Sequence, residues 1–217
     1  MQPSLLLWML LVLVGCMVFI WVVILRLLSW MGAKLGYSPP CPASFSCLVD
    51  NPVRRWYLRH VVERVGVRSG ERVLELGPGP GTFTIEAARR TRPRGSVVAI
   101  DIQPKMISAL KSRVRGAGLH NVGAYVAAAG QLPLHDKSVD RAFMVTVLPE
   151  IPDKQLALSE LHRVLKPHGI LSVTEEFLDP DYPLRRTTVR WASEAGFQLV
   201  ERHGNWWTYT LNFKRSM

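Results

Sequence analysis

Arg72-Val73-Leu74-Glu75-Leu76-Gly77-Pro78-Gly79-Pro80-Gly81 decides the fold. Its first half is a short apolar strand, its second half a glycine turn, and Thr82 to Arg90 behind it has the pattern of a helix. Glycines are needed where the chain turns sharply and where backbone must approach a ligand closely. The spacing is Gly-x-Gly-x-Gly, which differs from the Gly-x-Gly-x-x-Gly of dinucleotide binders. Taken alone, a tight strand-to-helix turn accounts for it equally well.

The surroundings narrow the choice. A second strand, Ser96–Ile100, ends in Asp101, whose carboxylate suits a ribose diol. A helix over Pro104–Arg115 and a strand over Val122–Ala127 follow. Then come Gln131-Leu132-Pro133-Leu134, Ser138-Val139-Asp140 and a strand over Phe143–Leu148 leading into Pro149-Glu150. A helix from Lys154 to Leu165 stops at Lys166-Pro167-His168-Gly169, and a strand over Ile170–Glu175 comes next.

As a set, these motifs resemble the class I S-adenosylmethionine-dependent methyltransferases, most of all the small-molecule and lipid branch with the quinone-biosynthesis enzymes. The resemblance spans roughly residues 52–215. It implies an α/β fold: a Rossmann-like seven-stranded sheet with helices on both faces and a last antiparallel hairpin. The tail allows this, with a helix over Pro183–Ala195 and strands over Phe197–Arg202 and Trp206–Lys214. A nicotinamide oxidoreductase matches neither the loop spacing nor the later motifs.

The resemblance also implies a site for S-adenosyl-L-methionine. Gly77, Gly79 and Gly81 would border its methionine part, and Glu75 would orient the loop and its amino group. Asp101 would bind the ribose, and Ile102 would lie against adenine. Many relatives place an Asp before the Leu-Pro pair for the adenine amino group. Here the stretch is Ala127-Ala128-Ala129, so adenine is expected against backbone and apolar groups near Ala129, Gln131 and Leu132. An Ala-Ala-Gly stretch and an apolar N-terminal anchor also occur together in a membrane-anchored thiol methyltransferase family. Methyl transfer depends mostly on alignment, and a base is required only when the acceptor arrives protonated. Glu150 and Glu176 are the candidate catalytic carboxylates, with His60 behind them. The competing roles are a helix cap for Glu150 and a solvated strand end for Glu176.

The N-terminus carries a separate signal. Leu5 to Leu25 contains no charge, and as a helix it would be about 31 Å long, matching a hydrocarbon core of about 30 Å. Trp8, Trp21 and Trp30 fall near its ends, as interfacial anchors do. No basic residue precedes the run and no small-residue cleavage site follows, which argues against a signal peptide. Basic residues lie only after it, so the positive-inside rule places the rest in the cytoplasm. The expected organisation is an anchor over 1–30, a linker over 31–51 and a methyltransferase domain over 52–217. Within that domain, 52–66 reads as one basic amphipathic helix. Val53, Trp56, Tyr57, Val61 and Val65 form its apolar stripe; Arg54, Arg55, Arg59 and Arg64 form its polar face. Trp56, Tyr57, His60 and Pro149 are expected near the substrate entrance.

Charge sharpens this picture. The chain has 27 Lys and Arg against 17 Asp and Glu, net +10 over 217 residues. Residues 51–115 hold 14 of the bases and 5 of the acids, while 116–217 hold 11 of each. The excess therefore surrounds the membrane-proximal part, and anionic lipid headgroups are the expected polyanion. A nucleic-acid methyltransferase is the alternative, but no base-handling tetrad or RNA-binding motif is present. A cofactor-binding scaffold with weak catalysis is a third reading. The three cysteines have no zinc-spaced partners, so no metal site is expected.

Overall fold

The computed structural model describes residues 3–34 and 50–216. Most of the expected linker, with Cys41 and Cys47, lies outside the described residues.

The main domain is a seven-stranded sheet in the order β3-β2-β1-β4-β5-β7-β6. Its strands are β1 (Arg72–Leu76), β2 (Ser96–Asp101), β3 (Val122–Val126), β4 (Val139–Val145), β5 (Leu165–Glu176), β6 (Phe197–Gly204) and β7 (Thr208–Arg215). The first five run parallel, and β7 pairs antiparallel with both β5 and β6. β1 pairs with β2 on one side and β4 on the other, Leu74 lying between Val98 and Ala142. Chain order reverses at this junction, which opens a crevice outside the carboxyl ends of the strands.

Alternation along the strands feeds two cores. On one face, Val73, Val97 and Phe143 pack with Ala87 of α4 (Thr84–Thr91) and Leu110 of α5 (Pro104–Gly116). On the other, Leu74, Ala142 and Leu171 pack with Leu158 and Leu161 of α6 (Lys154–Val164) and Ala192 of α7 (Arg185–Glu194). The same alternation sends Glu75 to the first face, where it is buried.

Three boundaries differ from the sequence-based expectation. The basic helix is not continuous: α2 (Pro52–Tyr57) and α3 (Val61–Val65) are separated by a turn at Leu58–His60. The turn lets α3 present Val61, Val62 and Val65 to the sheet, whereas Val53 and Trp56 of the expected stripe are exposed. Arg54, expected on the outer face, is buried instead. Buried Arg141 fixes α3, donating to the Val65 carbonyl (2.7 Å) and to Glu71 (3.1 Å). β4 starts and stops earlier than expected, because Thr146 takes a φ of 55° and ends the strand. β5 begins at Leu165, without a break at Lys166-Pro167-His168-Gly169, and a register shift between Val139 and Arg141 absorbs the irregularity.

At the N-terminus, α1 (Pro3–Lys34) covers the expected anchor and runs four residues beyond it. Among the described residues no helix is long and apolar enough to cross a membrane. Leu5 to Met17 form one apolar stretch of this helix. Those residues are exposed, Leu5, Trp8 and Met17 among them. Near its other end, the Arg26 guanidinium packs over the Phe177 ring (4.1 Å) of the main domain.

Candidate active site

The crevice holds a cavity of about 1080 Å³, large enough for a nucleoside cofactor and a second molecule beside it. Its floor is the turn after β1. Gly77 has φ 66°, and a Cβ there would fall on both methyl groups of Val147. Only glycine lets the ends of β1 and β4 close up in this way. Gly79 (φ 53°) differs: a Cβ there would meet nothing within 4 Å. Its bare backbone faces cavity space, as a chain that approaches a ligand closely must.

Asp101 closes β2 at the cavity wall. Its carboxylate accepts from the Gln103 N–H (2.9 Å) and the Gly79 N–H (3.2 Å). These two bonds aim the side chain and leave lone pairs for further donors. Burial raises its pKa, and the backbone donors oppose that shift. Ile102, Met106, Ala127, Ala128, Ala129 and Gln131 continue the wall. An apolar, backbone-lined slot therefore sits beside Asp101, where the three-alanine stretch was expected to hold adenine.

Not every expected residue reaches the cavity. Gly77, Gly79, Asp101, Ile102, Ala129 and Gln131 line it; Glu75, Gly81 and Leu132 do not. Gly81 instead packs on α5, where a Cβ would collide with Leu110. Leu132 is buried, and its N–H donates to Glu160 (2.9 Å). Glu75 stands behind the floor, and burial pushes its carboxyl up to about 8.

Opposite the floor, α2 supplies a wall through Val53, Arg54 and Tyr57. Asn51 caps this short helix by accepting from the Arg54 N–H (2.8 Å). Asp50 fastens its start, accepting from Arg55 (2.6 Å), Thr82 (2.8 Å) and Arg113 (2.6 Å). Burial opposes ionisation of Asp50, but these donors outweigh it and hold the pKa at about 2. The other end is fastened to Glu176. Arg54 Nε donates to Glu176 Oε1 (2.5 Å), and the Tyr57 hydroxyl donates to Glu176 Oε2. Arg54 also donates to Thr146 Oγ1 (3.1 Å).

The two candidate carboxylates thus differ. Both line the cavity, but Glu176 is buried, with one oxygen on Arg54 and the other on Tyr57. Glu150 ends a single 3-10 turn, Leu148–Glu150. It is not the cap of α6, since Asp153 accepts from the Leu156 N–H in that role. Of the expected entrance residues, only Tyr57 lines the cavity. Trp56 is exposed beneath the Arg59 guanidinium (4.8 Å), His60 contacts Glu63 (3.0 Å), and Pro149 is buried.

Sequence reasoning missed Arg54, Thr146 and Asp179 as parts of this site. Their roles come from contacts with residues remote in sequence, and Arg54 meets Glu176 across 122 positions. Asp179 also lines the cavity, and burial pushes its carboxyl up to about 7. Glu175, completely buried behind the wall, has no hydrogen-bond partner on either oxygen among the described residues. Burial and then Asp179, Glu150, Glu176 and Asp181 drive its pKa well upward.

Comparison with known proteins agrees with this geometry. A family model described as a methyltransferase domain matches residues 67–205. The chain belongs to this methyltransferase family. That match supports methyl transfer as the reaction class and agrees with the S-adenosylmethionine slot expected from the sequence. A ubiquinone/menaquinone biosynthesis C-methyltransferase of a Shewanella species is 35% identical over 135 residues, 62% of this chain and 53% of that one. A demethylmenaquinone methyltransferase of Geobacillus stearothermophilus is 35% identical over 112 residues, 52% and 48% of the two chains. The chain spans about half the length of these curated relatives. The fold matches a SAM-dependent methyltransferase from Aquifex aeolicus with a TM-score of 0.75 at 23% identity, covering 80% of this chain and 98% of that one.

Two outcomes follow from the site. Replacing Asp101 with Ala removes the one carboxylate aimed into the apolar slot. Calorimetry should show S-adenosylmethionine affinity falling about ten- to a hundred-fold, the worth of a hydrogen bond to a charged group. Unchanged affinity would remove Asp101 from the site. The second outcome concerns Glu75, whose carboxyl moves from 4.5 to about 8 on folding. Between these values the folded chain keeps a proton that the unfolded chain has lost, so stability falls as pH rises. Glu75→Gln removes that contribution. Its urea midpoint should fall less between pH 5 and pH 8 than that of the unsubstituted chain, and equal falls would contradict the assignment.

Proposed function

We propose that the protein is a membrane-held methyltransferase acting on a hydrophobic acceptor, of which a demethylated quinone or quinol is the favoured kind. One observation carries the reading. The cavity wall at Leu178 and Asp179 directly follows Phe177, the residue on which α1 docks through Arg26. A long exposed apolar helix and an acceptor-sized cavity thus meet at one segment. The charge-free run Leu5–Leu25 supports anchoring in a bilayer. The quinone-biosynthesis relatives support the acceptor class. Phospholipid amines and lipophilic thiols share the same route of access.

The division of work among the residues follows from their surroundings. Asp101, Gly79 and the Ala127–Ala129 stretch hold the cofactor, which supplies an electrophilic methyl group on a sulfonium. Methyl transfer is an in-line displacement, so the walls contribute mainly alignment and exclusion of water. Glu176, engaged by Arg54 and Tyr57, positions α2 over the acceptor. Glu150 is assigned as the base when the acceptor carries a proton that must leave.

The test uses methyl-labelled S-adenosylmethionine and the full chain in phospholipid vesicles containing a demethylated isoprenoid quinol, with total RNA offered in parallel. Label should enter the solvent-extractable lipid and should fall at least about a hundred-fold with Glu150→Gln, the low end of a general-base contribution. Label found only in RNA would overturn the lipophilic reading.

A further inference from the structure

Arg26 terminates the charge-free run Leu5–Leu25, so anchoring of that run places its guanidinium at headgroup depth. The guanidinium lies 4.1 Å from the Phe177 ring centre and 5.8 Å from that of Tyr182. It also donates to the Phe177 carbonyl and, at 3.4 Å, to that of Asp179. Residues this close to Arg26 must share its depth.

Phe177 is in turn the hub of an aromatic cluster. Its ring centre is 5.3 Å from Trp206, 5.5 Å from Trp207 and 5.7 Å from Tyr182. The Tyr182 hydroxyl donates to the Trp206 carbonyl (2.7 Å), and the Phe177 N–H to that of Trp207 (2.7 Å). These bonds tie the segment after β5 to the tip of the β6–β7 hairpin. Trp206, at the tip, is 65% exposed. A large indole held outward by ordered neighbours is a poor solution for water and a good one for a membrane interface, where its ring meets both apolar and polar groups. The cavity rim adjoins this cluster. Leu178 lines the cavity yet is 51% exposed, and Val53 on α2 lines it yet is 70% exposed.

We infer that Phe177, Tyr182, Trp206 and Trp207 form an interfacial platform that seats the catalytic domain on the bilayer. The rim at Val53 and Leu178 then faces lipid, and the acceptor enters the cavity sideways from the membrane. This rests on the anchoring proposed above and goes beyond it, because a tether alone would leave the domain free to face its cavity to water. Exposed Arg59, stacked over Trp56 beside α2, lies where anionic headgroups would meet it.

Depth measurement by spin labelling tests the platform. A nitroxide is placed at Trp206→Cys or Leu178→Cys in the full chain carrying Cys16→Ser, Cys41→Ser and Cys47→Ser. The reference is His168→Cys, exposed at the opposite end of β5. Each protein is mixed with phosphatidylcholine–phosphatidylglycerol vesicles, recovered by flotation and probed with dissolved oxygen and a water-soluble nickel chelate. Labels at 206 and 178 should lose collisions with nickel and gain them with oxygen, while the label at 168 remains open to nickel. If the chain floats but 206 and 178 stay as open to nickel as 168, the platform is overturned and the anchor stands. A chain that does not float overturns the anchor and the platform together. Two positions, one on the platform and one on the rim, guard against the failure of one variant to fold.

Discussion

Everything at this site depends on the chain having no side chain at Gly77. β1 and β4 lie next to each other in the sheet, yet the residues following them both turn toward the same space. Gly77 backbone and the Val147 methyl groups fill it together. A Cβ would push the two strand ends apart, and with them the cofactor floor and the Thr146–Glu150 wall. The turn also sets Gly79 beside Asp101, so that an N–H from one strand's end aims the carboxylate at the end of the next. The cavity floor and its Thr146–Glu150 wall are thus two sides of one steric requirement.

A second layer of control is electrostatic. The wall opposite the floor is only six helical residues long, Pro52–Tyr57, too short to hold itself as a helix in water. It is held at its start by Asp50 and at its end by Glu176. The Glu176 end is buried on both partners, so removal of either would leave an uncompensated charge, a loss of about 3–5 kcal/mol. Around it, Glu175 and Asp179 have pKa values driven upward by burial. Burial that disfavours charge on this wall suits an apolar acceptor better than a solvated wall would.

The parts of the fold legible in the sequence are those that local rules decide. β1 occupies Arg72–Leu76 as read, because a short, largely apolar run that stops at a glycine-proline turn is too brief for a helix and suits a strand buried on both faces. The Asp-ended β2 and the Pro-started α5 followed for similar reasons, and the antiparallel end of the sheet followed from the family resemblance. The basic helix was misread because helical periodicity treats arginine as a surface residue. Arg54 is buried only because Glu176, far along the chain, waits for it at the end of β5. Thr146 was missed for a related cause. Its positive φ has no local signature in a β-branched residue, and it is bound by Arg54 from above. That Gly79 and Asp101 would line the cavity was implied by the family resemblance, whereas the place of Glu75, Gly81 and Leu132 behind its wall follows only from the packed structure.

Hydrogen–deuterium exchange of the full chain, with and without S-adenosylmethionine, tests most directly the claim that the cofactor lies at the ends of β1 and β2. Added cofactor should slow exchange at Gly77–Gly81, at Asp101–Gln103 and along Ala127–Gln131, leaving the β6–β7 hairpin unchanged. Protection confined to other segments, with these three unaltered at saturating cofactor, would contradict the account.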